Sequence, residues 1–238
     1  KIQKRFSDGL SFLLSYTGSK SMSNAGGNAF SSGIGRPPFT EQRGLEMAIA
    51  PNDINQNVII SAVYELPFGP GKRFANRTGV AGKVMGGWQI AAIARYFTGR
   101  ALGIGGGPSL PLFGGSNRPN RVATVPIQTN VGNFDPNKDK YLNHGAFSAP
   151  ANFTRGDISP RMPAARSFAT YQEDFTLFKF IPIHEAVRLE FRMESYNFFN
   201  RAMFGGPSTG WDSAASFGNV GGTAIPPRQL QMALKLHF

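Results

Sequence analysis

The chain has 238 residues, a formal net charge of +11 and no cysteine. The absence of cysteine excludes disulfides, thiolate metal sites and cysteine nucleophiles. The longest apolar runs, such as residues 90–94, have five residues. A membrane helix needs about 20, so a helical span is excluded. A mean hydropathy of −0.21 is still compatible with membrane β-strands, in which only every second residue is apolar.

The positive charge is compatible with a nucleic-acid or an anionic-membrane partner. However, the 25 basic residues are scattered along the chain, and no run exceeds Lys72-Arg73. We therefore favour a basic lumen or a rim that faces lipopolysaccharide, and we expect no nucleic-acid partner.

Six β-strands are predicted, because apolar side chains recur at every second position in six segments. In chain order, the predicted strands cover residues 3–20, 58–66, 87–99, 168–181, 187–194 and 228–238. Their apolar faces carry Phe12, Leu14 and Tyr16; Val58, Ile60, Ala62, Tyr64 and Leu66; Trp88, Ile90, Ala92, Ala94 and Tyr96; Phe175 and Leu177; Val187, Leu189, Phe191 and Met193; and the alternate residues of the last strand. The predicted fold is therefore all-β and antiparallel.

The fifth predicted strand has one apolar face and one charged face. The charged residues are Arg188, Glu190, Arg192 and Glu194. One interpretation is a polar wall that lines a lumen and contacts a plug or solute. We favour the other, a ladder of ion pairs that stabilises the sheet. A soluble sandwich could show the same alternation, so this strand does not separate soluble from membrane proteins.

The last predicted strand keeps its apolar face to the final residue, which is unusual because termini usually fray. Its apolar residues are Leu230, Met232, Leu234, Leu236 and Phe238. An ending of this kind is typical of the C-terminal assembly signal of outer-membrane barrels. It predicts a final strand that must pair with another strand to close a sheet.

The connections favour a membrane barrel over a soluble domain. Residues 21–57, 100–167 and 201–227 are long Gly-rich or Asn-rich connections, whereas a short turn around Pro182-Ile-His-Glu185 joins the fourth and fifth strands. Outer-membrane barrels alternate short periplasmic turns with long extracellular loops. We therefore expect a periplasmic C-terminus and long extracellular loops. A structureless loop as long as 100–167 would count against a compact soluble domain.

Aromatic residues gather near the ends of the predicted strands, as in the two aromatic girdles of membrane barrels. Tyr64, Phe68 and Trp88 are predicted at the periplasmic interface. Tyr96, Phe97, Phe198 and Phe199 are predicted at the outer interface.

Several motifs resemble a known family in order and spacing. They are Tyr64-Glu-Leu-Pro-Phe-Gly-Pro-Gly-Lys-Arg73, Gly86-Gly-Trp-Gln-Ile90, Phe97-Thr-Gly-Arg100, Asp174-Phe-Thr-Leu-Phe-Lys179, Val187-Arg-Leu-Glu-Phe-Arg-Met-Glu-Ser-Tyr-Asn-Phe-Phe-Asn200, Phe204-Gly205 and Pro226-Pro-Arg-Gln-Leu-Gln-Met-Ala-Leu-Lys-Leu236. Together they resemble the Oar-like TonB-dependent outer-membrane receptors over residues 1–238, least specifically at 103–153.

The resemblance implies a barrel of about 22 strands that is closed by an N-terminal plug with a TonB box. Residues 1–238 would then be the C-terminal part of that barrel, an incomplete barrel segment of about six strands. The N-terminus has no secretory signal, so we expect the plug, the TonB box and the signal peptide to lie outside this chain. The implied function is uptake of a large solute across the outer membrane of a Gram-negative cell. The implied partners are outer-membrane lipid and lipopolysaccharide, the barrel-assembly machinery, TonB acting through the plug, and an unknown solute.

No catalytic or cofactor site is predicted, and we expect no enzymatic activity. His144, His184 and His237 have no neighbours at metal-ligand spacing. Gly69-Pro-Gly-Lys72 lacks the spacing of a phosphate-binding loop and is interpreted as a turn. Gly105-Gly-Gly107 is interpreted as a flexible loop segment. Asp157, Arg161 and Arg166 are candidate solute contacts, on no stronger ground than their place in a long loop.

Two alternatives stay open. One is an outer-membrane barrel that is not coupled to TonB and acts as an adhesin or scaffold. The other is a soluble basic β-protein that binds nucleic acid, whose affinity would fall steeply with salt.

Overall fold

The computed structural model describes residues 1–24, 47–108, 117–129, 132–184 and 187–238. Glu185, from the predicted short turn, and residues 25–46, from the first predicted long loop, lie outside the described residues.

The main body of the protein is one antiparallel sheet of seven strands. The order of its strands is β1-β2-β5-β6-β11-β12-β13, so strands that pair follow one another along the chain. The strands are β1 (Ile2–Ser7), β2 (Leu10–Gly18), β5 (Gln56–Glu65), β6 (Trp88–Phe97), β11 (Thr170–His184), β12 (Val187–Tyr196) and β13 (Gln229–His237). Within the described residues the sheet is open, with β1 and β13 at its two edges.

The prediction of one strand over residues 3–20 was wrong, because these residues belong to a hairpin of two strands. Strands β1 and β2 pair antiparallel, and only Asp8 and Gly9 lie between them. Both residues have positive φ, at 52° and 78°, which is the backbone of the tightest hairpin turns. Asp-Gly is the residue pair that this turn favours, so the turn is indicated by the sequence. The sheet therefore has seven strands instead of the six predicted.

Pairing places the apolar residues of neighbouring strands on one face of the sheet, which we call the apolar face. One row shows this across five strands: Tyr64 pairs with Ile90, Ile90 with Leu177, Leu177 with Met193, and Met193 with Met232. The alternate residues form the opposite side, the polar face. Because side chains alternate strictly along a strand, a slip of one residue in any pair would break this row.

The connections differ in length at the two ends of the sheet, as the sequence predicts. At one end, the turn end, strands are joined by residues 8–9, 66–87 and 185–186. At the other, the loop end, they are joined by residues 19–55, 98–169 and 197–228. The connection 66–87 contains the helix α1 (Gly79–Met85). The new hairpin therefore adds one more short turn to the turn end.

The long connections are not structureless, contrary to the expectation from their composition. They contain three short strand pairs and a 3-10 turn: β3 (Met22–Ser23) with β4 (Ala48–Ile49), β7 (Ala101–Leu102) with β10 (Met162–Arg166), β8 (Asn120–Arg121) with β9 (Phe147–Ser148), and the turn His144–Ala146. They enclose a core of buried apolar residues: Ile104, Ile127, Leu142, Ala146, Phe147, Ile158, Ala165 and Phe217. We call this assembly of connections the loop cap.

Replacing Gly9 by alanine should weaken the β1–β2 hairpin. An L-residue at this positive φ costs about 1–2 kcal/mol, and the added Cβ would lie 3.1 Å from the Glu65 carbonyl oxygen. Urea unfolding of the intact outer-membrane protein in detergent should show that loss. The control is Gly132→Ala, whose Cβ would have no atom within 4 Å and whose φ is not positive. Equal stability of the Gly9 variant and the control would contradict the turn.

Candidate functional site: the polar face and the loop cap

The four charged residues predicted on β12 lie on the polar face, and three of them form a continuous chain of ion pairs. Arg192 lies between two carboxylates. Its Nη2 is 2.8 Å from Glu190 Oε1, and its Nη1 is 3.4 Å from Glu194 Oε1. The pairs run along one strand, at i and i+2, rather than mainly across strands as a ladder would. Arg188 lies outside this chain, with its guanidinium 5.6 Å from the centre of the Phe180 ring.

Three further residues that motif reasoning did not select extend the same chain. His237 Nε2 lies 2.7 Å from Glu190 Oε2 across the β12–β13 pair. The Tyr196 hydroxyl donates to Glu194 at 2.9 Å. The guanidinium of Arg192 lies 4.9 Å from the centre of the Phe178 ring, on the next strand. Alternation places all three on the polar face, but only the register between strands shows which of them meet.

The partners of the two carboxylates explain how charges can be held here. The side chains of Glu190 and Glu194 are 6% and 18% exposed, and removing such charges from water is costly unless they are paired. Each carboxylate has one partner in Arg192 and a second in His237 or Tyr196. The charged groups of Glu190, Arg192 and Glu194 are therefore bonded largely within this row and its immediate neighbours.

Aromatic residues lie at both ends of the apolar face. At the loop end, the Tyr96 and Tyr171 rings are 6.0 Å apart, and Phe198 and Phe199 lie 4.6 and 6.2 Å from Phe175. At the turn end the apolar face carries Tyr64 and Trp88. Of the other two predicted interface aromatics, Phe68 packs on Phe74 in the connection 66–87, with ring centres 5.9 Å apart. Phe97 pairs with Asn57 and lies on the polar face.

The apolar residues of β13 are exposed along the whole edge strand. Leu230, Met232, Leu234 and Leu236 are 54–66% exposed, and Phe238 is 97% exposed. In water such a continuous apolar strip would be an aggregation hazard. It is the surface expected of a strand that faces lipid.

The loop cap is held by a second set of aromatic contacts. His144 stacks on Trp211 at 5.2 Å, and each of the two also hydrogen-bonds the other's backbone carbonyl. Tyr141 packs on Phe168 at 4.1 Å, and Phe168 lies 5.2 Å from Phe204. His144 is thus a packing residue in the loop cap.

Arg166 ties the first long connection to the second. Its Nη2 lies 2.7 Å from Asp53 Oδ2 and 3.1 Å from Asn55 Oδ1, and its Nη1 donates to the Gly99 carbonyl at 2.9 Å. The Asp53 side chain is fully buried. Arg166 is therefore placed as a structural clamp, with its guanidinium directed into the cap.

The pKa of Asp53 reflects this clamp. Burial raises the pKa of its carboxyl, but the hydrogen bonds from Arg166 and from the Ser21 backbone N–H act in the opposite direction. The positive charges of Arg166 and Lys20 lower it further. The net result is a pKa below the ordinary value of 3.8, so the carboxylate is charged at neutral pH.

The other loop residues singled out in the sequence also have structural contacts. Asp157 accepts a hydrogen bond from the Arg121 backbone N–H at 2.7 Å, and the Arg161 carbonyl accepts one from Ser159. Gly105 was wrongly predicted to be in a flexible segment, because it bonds Thr209 and Trp211 through its backbone. At the turn end, the Gly69–Lys72 segment is a turn, as predicted, closed by a hydrogen bond from the Lys72 N–H to the Gly69 carbonyl.

Among the described residues, no group of three or more histidine, cysteine, aspartate or glutamate side chains is placed to hold a metal ion. No helix in the described ranges has both the length and the apolar character needed to cross a membrane.

A sheet with one apolar and one polar face, exposed apolar edges and alternating connections defines the wall of an outer-membrane β-barrel. The chain belongs to the family described as "Outer membrane beta barrel domain", whose model matches residues 1–231. Comparison with curated proteins and with solved structures gives no match. The family places the protein in the outer membrane, and the all-β antiparallel fold predicted from the sequence is confirmed.

Replacing Arg166 by glutamine should loosen the loop cap without unfolding the sheet. It leaves a buried carboxylate unpaired, a change that typically costs about 3–5 kcal/mol. Hydrogen exchange of peptides covering residues 19–24 and 47–55 should become faster by the corresponding factor, while β12 keeps its protection. The control is Lys138→Gln, which removes an ion pair whose lysine is 80% exposed and should change stability by less than about 0.5 kcal/mol. Unchanged exchange in the Arg166 variant would contradict the clamp.

Proposed function

We propose that this chain is the C-terminal part of the barrel of a TonB-dependent receptor that takes up a large solute across the outer membrane. The observation that carries the proposal is the sheet itself, with two chemically distinct faces and long connections at only one end. The motif order that resembles Oar-like receptors, from Tyr64 to Leu236, selects this class among outer-membrane barrels. The plug, the TonB box and the strands that complete the barrel are expected in other parts of the same protein.

In the proposed orientation the turn end is periplasmic and the loop end is extracellular. The C-terminus, at the turn end, would then lie in the periplasm. The loop cap would be the first part of this chain to meet a solute or lipopolysaccharide. Its packed core supports a defined outer surface rather than a set of loose loops, since packed side chains hold their neighbours in fixed positions.

The polar face would line the lumen. Its charged row on β12 supports a structural role more than a solute-binding role, because Glu190, Arg192 and Glu194 already bond one another. Arg188, which is exposed and rests on Phe180, is the member of the row best placed to meet a plug or a solute. The proposal assigns no catalytic chemistry and no cofactor to this chain.

The alternative is an outer-membrane barrel without TonB coupling that acts as an adhesin or scaffold. The same sheet and loop cap would suit an adhesin or a scaffold. The receptor and this alternative therefore differ in what precedes the barrel and in whether the protein contacts TonB. The barrel-assembly machinery and outer-membrane lipid are partners of the chain under either proposal.

The test is to express the intact gene in a Gram-negative host and to crosslink its product to TonB. We expect an in-frame region before Lys1 that encodes a signal peptide, a plug and a TonB box, and a crosslinked product that is lost when the TonB box is deleted. A control with Lys138→Gln, which removes only an ion pair of an exposed lysine, should crosslink normally. A product that lacks a plug and does not crosslink would reject the receptor and favour the adhesin or scaffold.

A further inference from the structure

The connection 66–87 lies against the apolar face of the sheet, where Trp88 and Lys179 hold it. These two residues pair with each other on β6 and β11, and their side chains lie on the apolar face. The Trp88 Nε1–H donates to the Val84 carbonyl at 3.1 Å. Lys179 Nζ donates to the carbonyls of Lys83 and Val84 at 2.6 and 2.9 Å, and to that of Gly86.

These bonds explain how a lysine can occupy the apolar face. Lys179 is only 5% exposed, and a buried ammonium is costly without partners. Its three N–H groups meet three carbonyls at the C-terminal end of α1, where a helix favours positive charge. The Trp88 ring, with its centre 5.0 Å from Nζ, adds a cation–π contact. The helix is therefore fixed on the apolar side of the wall.

The side of α1 away from the wall is apolar and exposed. Val80 and Val84 are four residues apart on one helical face and are 79% and 62% exposed, and Met85 is 46% exposed. The same connection exposes the rings of Phe68 and Phe74, at 41% and 48%. These residues extend the apolar face past the last row of strand residues at the turn end.

The charge of this connection has one sign. Residues 66–87 contain Lys72, Arg73, Arg77 and Lys83 and no acidic residue. Lys72 is paired with Glu65 of β5 at 3.1 Å, whereas Arg73, Arg77 and Lys83 are exposed. An apolar helical face beside exposed basic residues is the composition of segments that lie in the interface of an anionic membrane.

We propose that the connection 66–87 is an interfacial anchor: α1 and the two phenylalanines enter the bilayer surface at the turn end, and the basic residues bind anionic phospholipid headgroups. The partner is lipid rather than protein, because the patch continues the apolar face of the wall and has an excess of positive charge. The inference rests on the proposed function only in taking the apolar face to be exposed to lipid.

The chain has no native cysteine, so single cysteines can report the position of each segment. The intact protein would carry one bimane label at Val80→Cys or Val84→Cys and be reconstituted in phosphatidylcholine vesicles with brominated lipid, with and without phosphatidylglycerol. Leu234→Cys on the apolar face is the lipid-exposed control. Ala151→Cys, an exposed residue of the loop cap, is the water-exposed control.

We expect brominated lipid to quench the labels at Val80 and Val84 nearly as strongly as at Leu234 and severalfold more than at Ala151. Phosphatidylglycerol should further protect them from aqueous iodide, and a variant with Arg73→Gln, Arg77→Gln and Lys83→Gln should lose that extra protection. Quenching by iodide equal to that at Ala151, or protection from both quenchers as under a protein partner, would overturn the anchor while Leu234 stays quenched by lipid. If Leu234 itself is not quenched by lipid, the proposed barrel fails instead.

Discussion

The hydrogen-bonding requirement of a backbone in lipid constrains every other feature of this sheet. A strand that crosses hydrocarbon must pair every N–H and C=O with a neighbouring strand. Pairing fixes the register, and the period of two then assigns every side chain to one of two faces. The row from Tyr64 to Met232 shows the result, because five paired strands contribute only apolar side chains to it.

The same constraint explains where buried charged side chains are tolerated. On the polar face, Glu190 and Glu194 share Arg192, so charges accumulate without being left unpaired. On the apolar face, Lys179 is tolerated because carbonyls at the end of α1 receive its N–H groups. At the loop end, Arg166 and Asp53 form a buried pair that joins two connections. In each place, a buried charge marks a contact between segments that the chain must hold together.

The sheet could be predicted from the sequence because its signal is local. Alternation alone located β5, β6, β11, β12 and β13, and the lengths of the connections separated the two ends. The β1–β2 hairpin was predicted as one strand because apolar residues continue across it, although the residue pair Asp8-Gly9 is typical of a tight turn.

The loop cap and the anchoring of α1 could not be predicted in this way. Leu142 and Phe217 meet in the cap core only because two long connections fold back on each other, and nothing periodic in either segment indicates it. Arg166 was selected for its charge, but its partner Asp53 lies in another connection and is identified only by the fold. The members of the charged row and their common face could be predicted from alternation, whereas the contacts of His237 and Phe178 with that row depend on the register between strands.

We expect the apolar face of the sheet to meet lipid and the polar face to meet a water-filled lumen. Spin labels placed singly along β12, from Arg188 to Met193, in the intact protein in vesicles test it most directly. Labels at Leu189, Phe191 and Met193 should be relaxed mainly by oxygen dissolved in lipid, and labels at Arg188, Glu190 and Arg192 mainly by a water-soluble nickel complex. Equal access to both reagents along the strand, or alternation in the opposite phase, would contradict it.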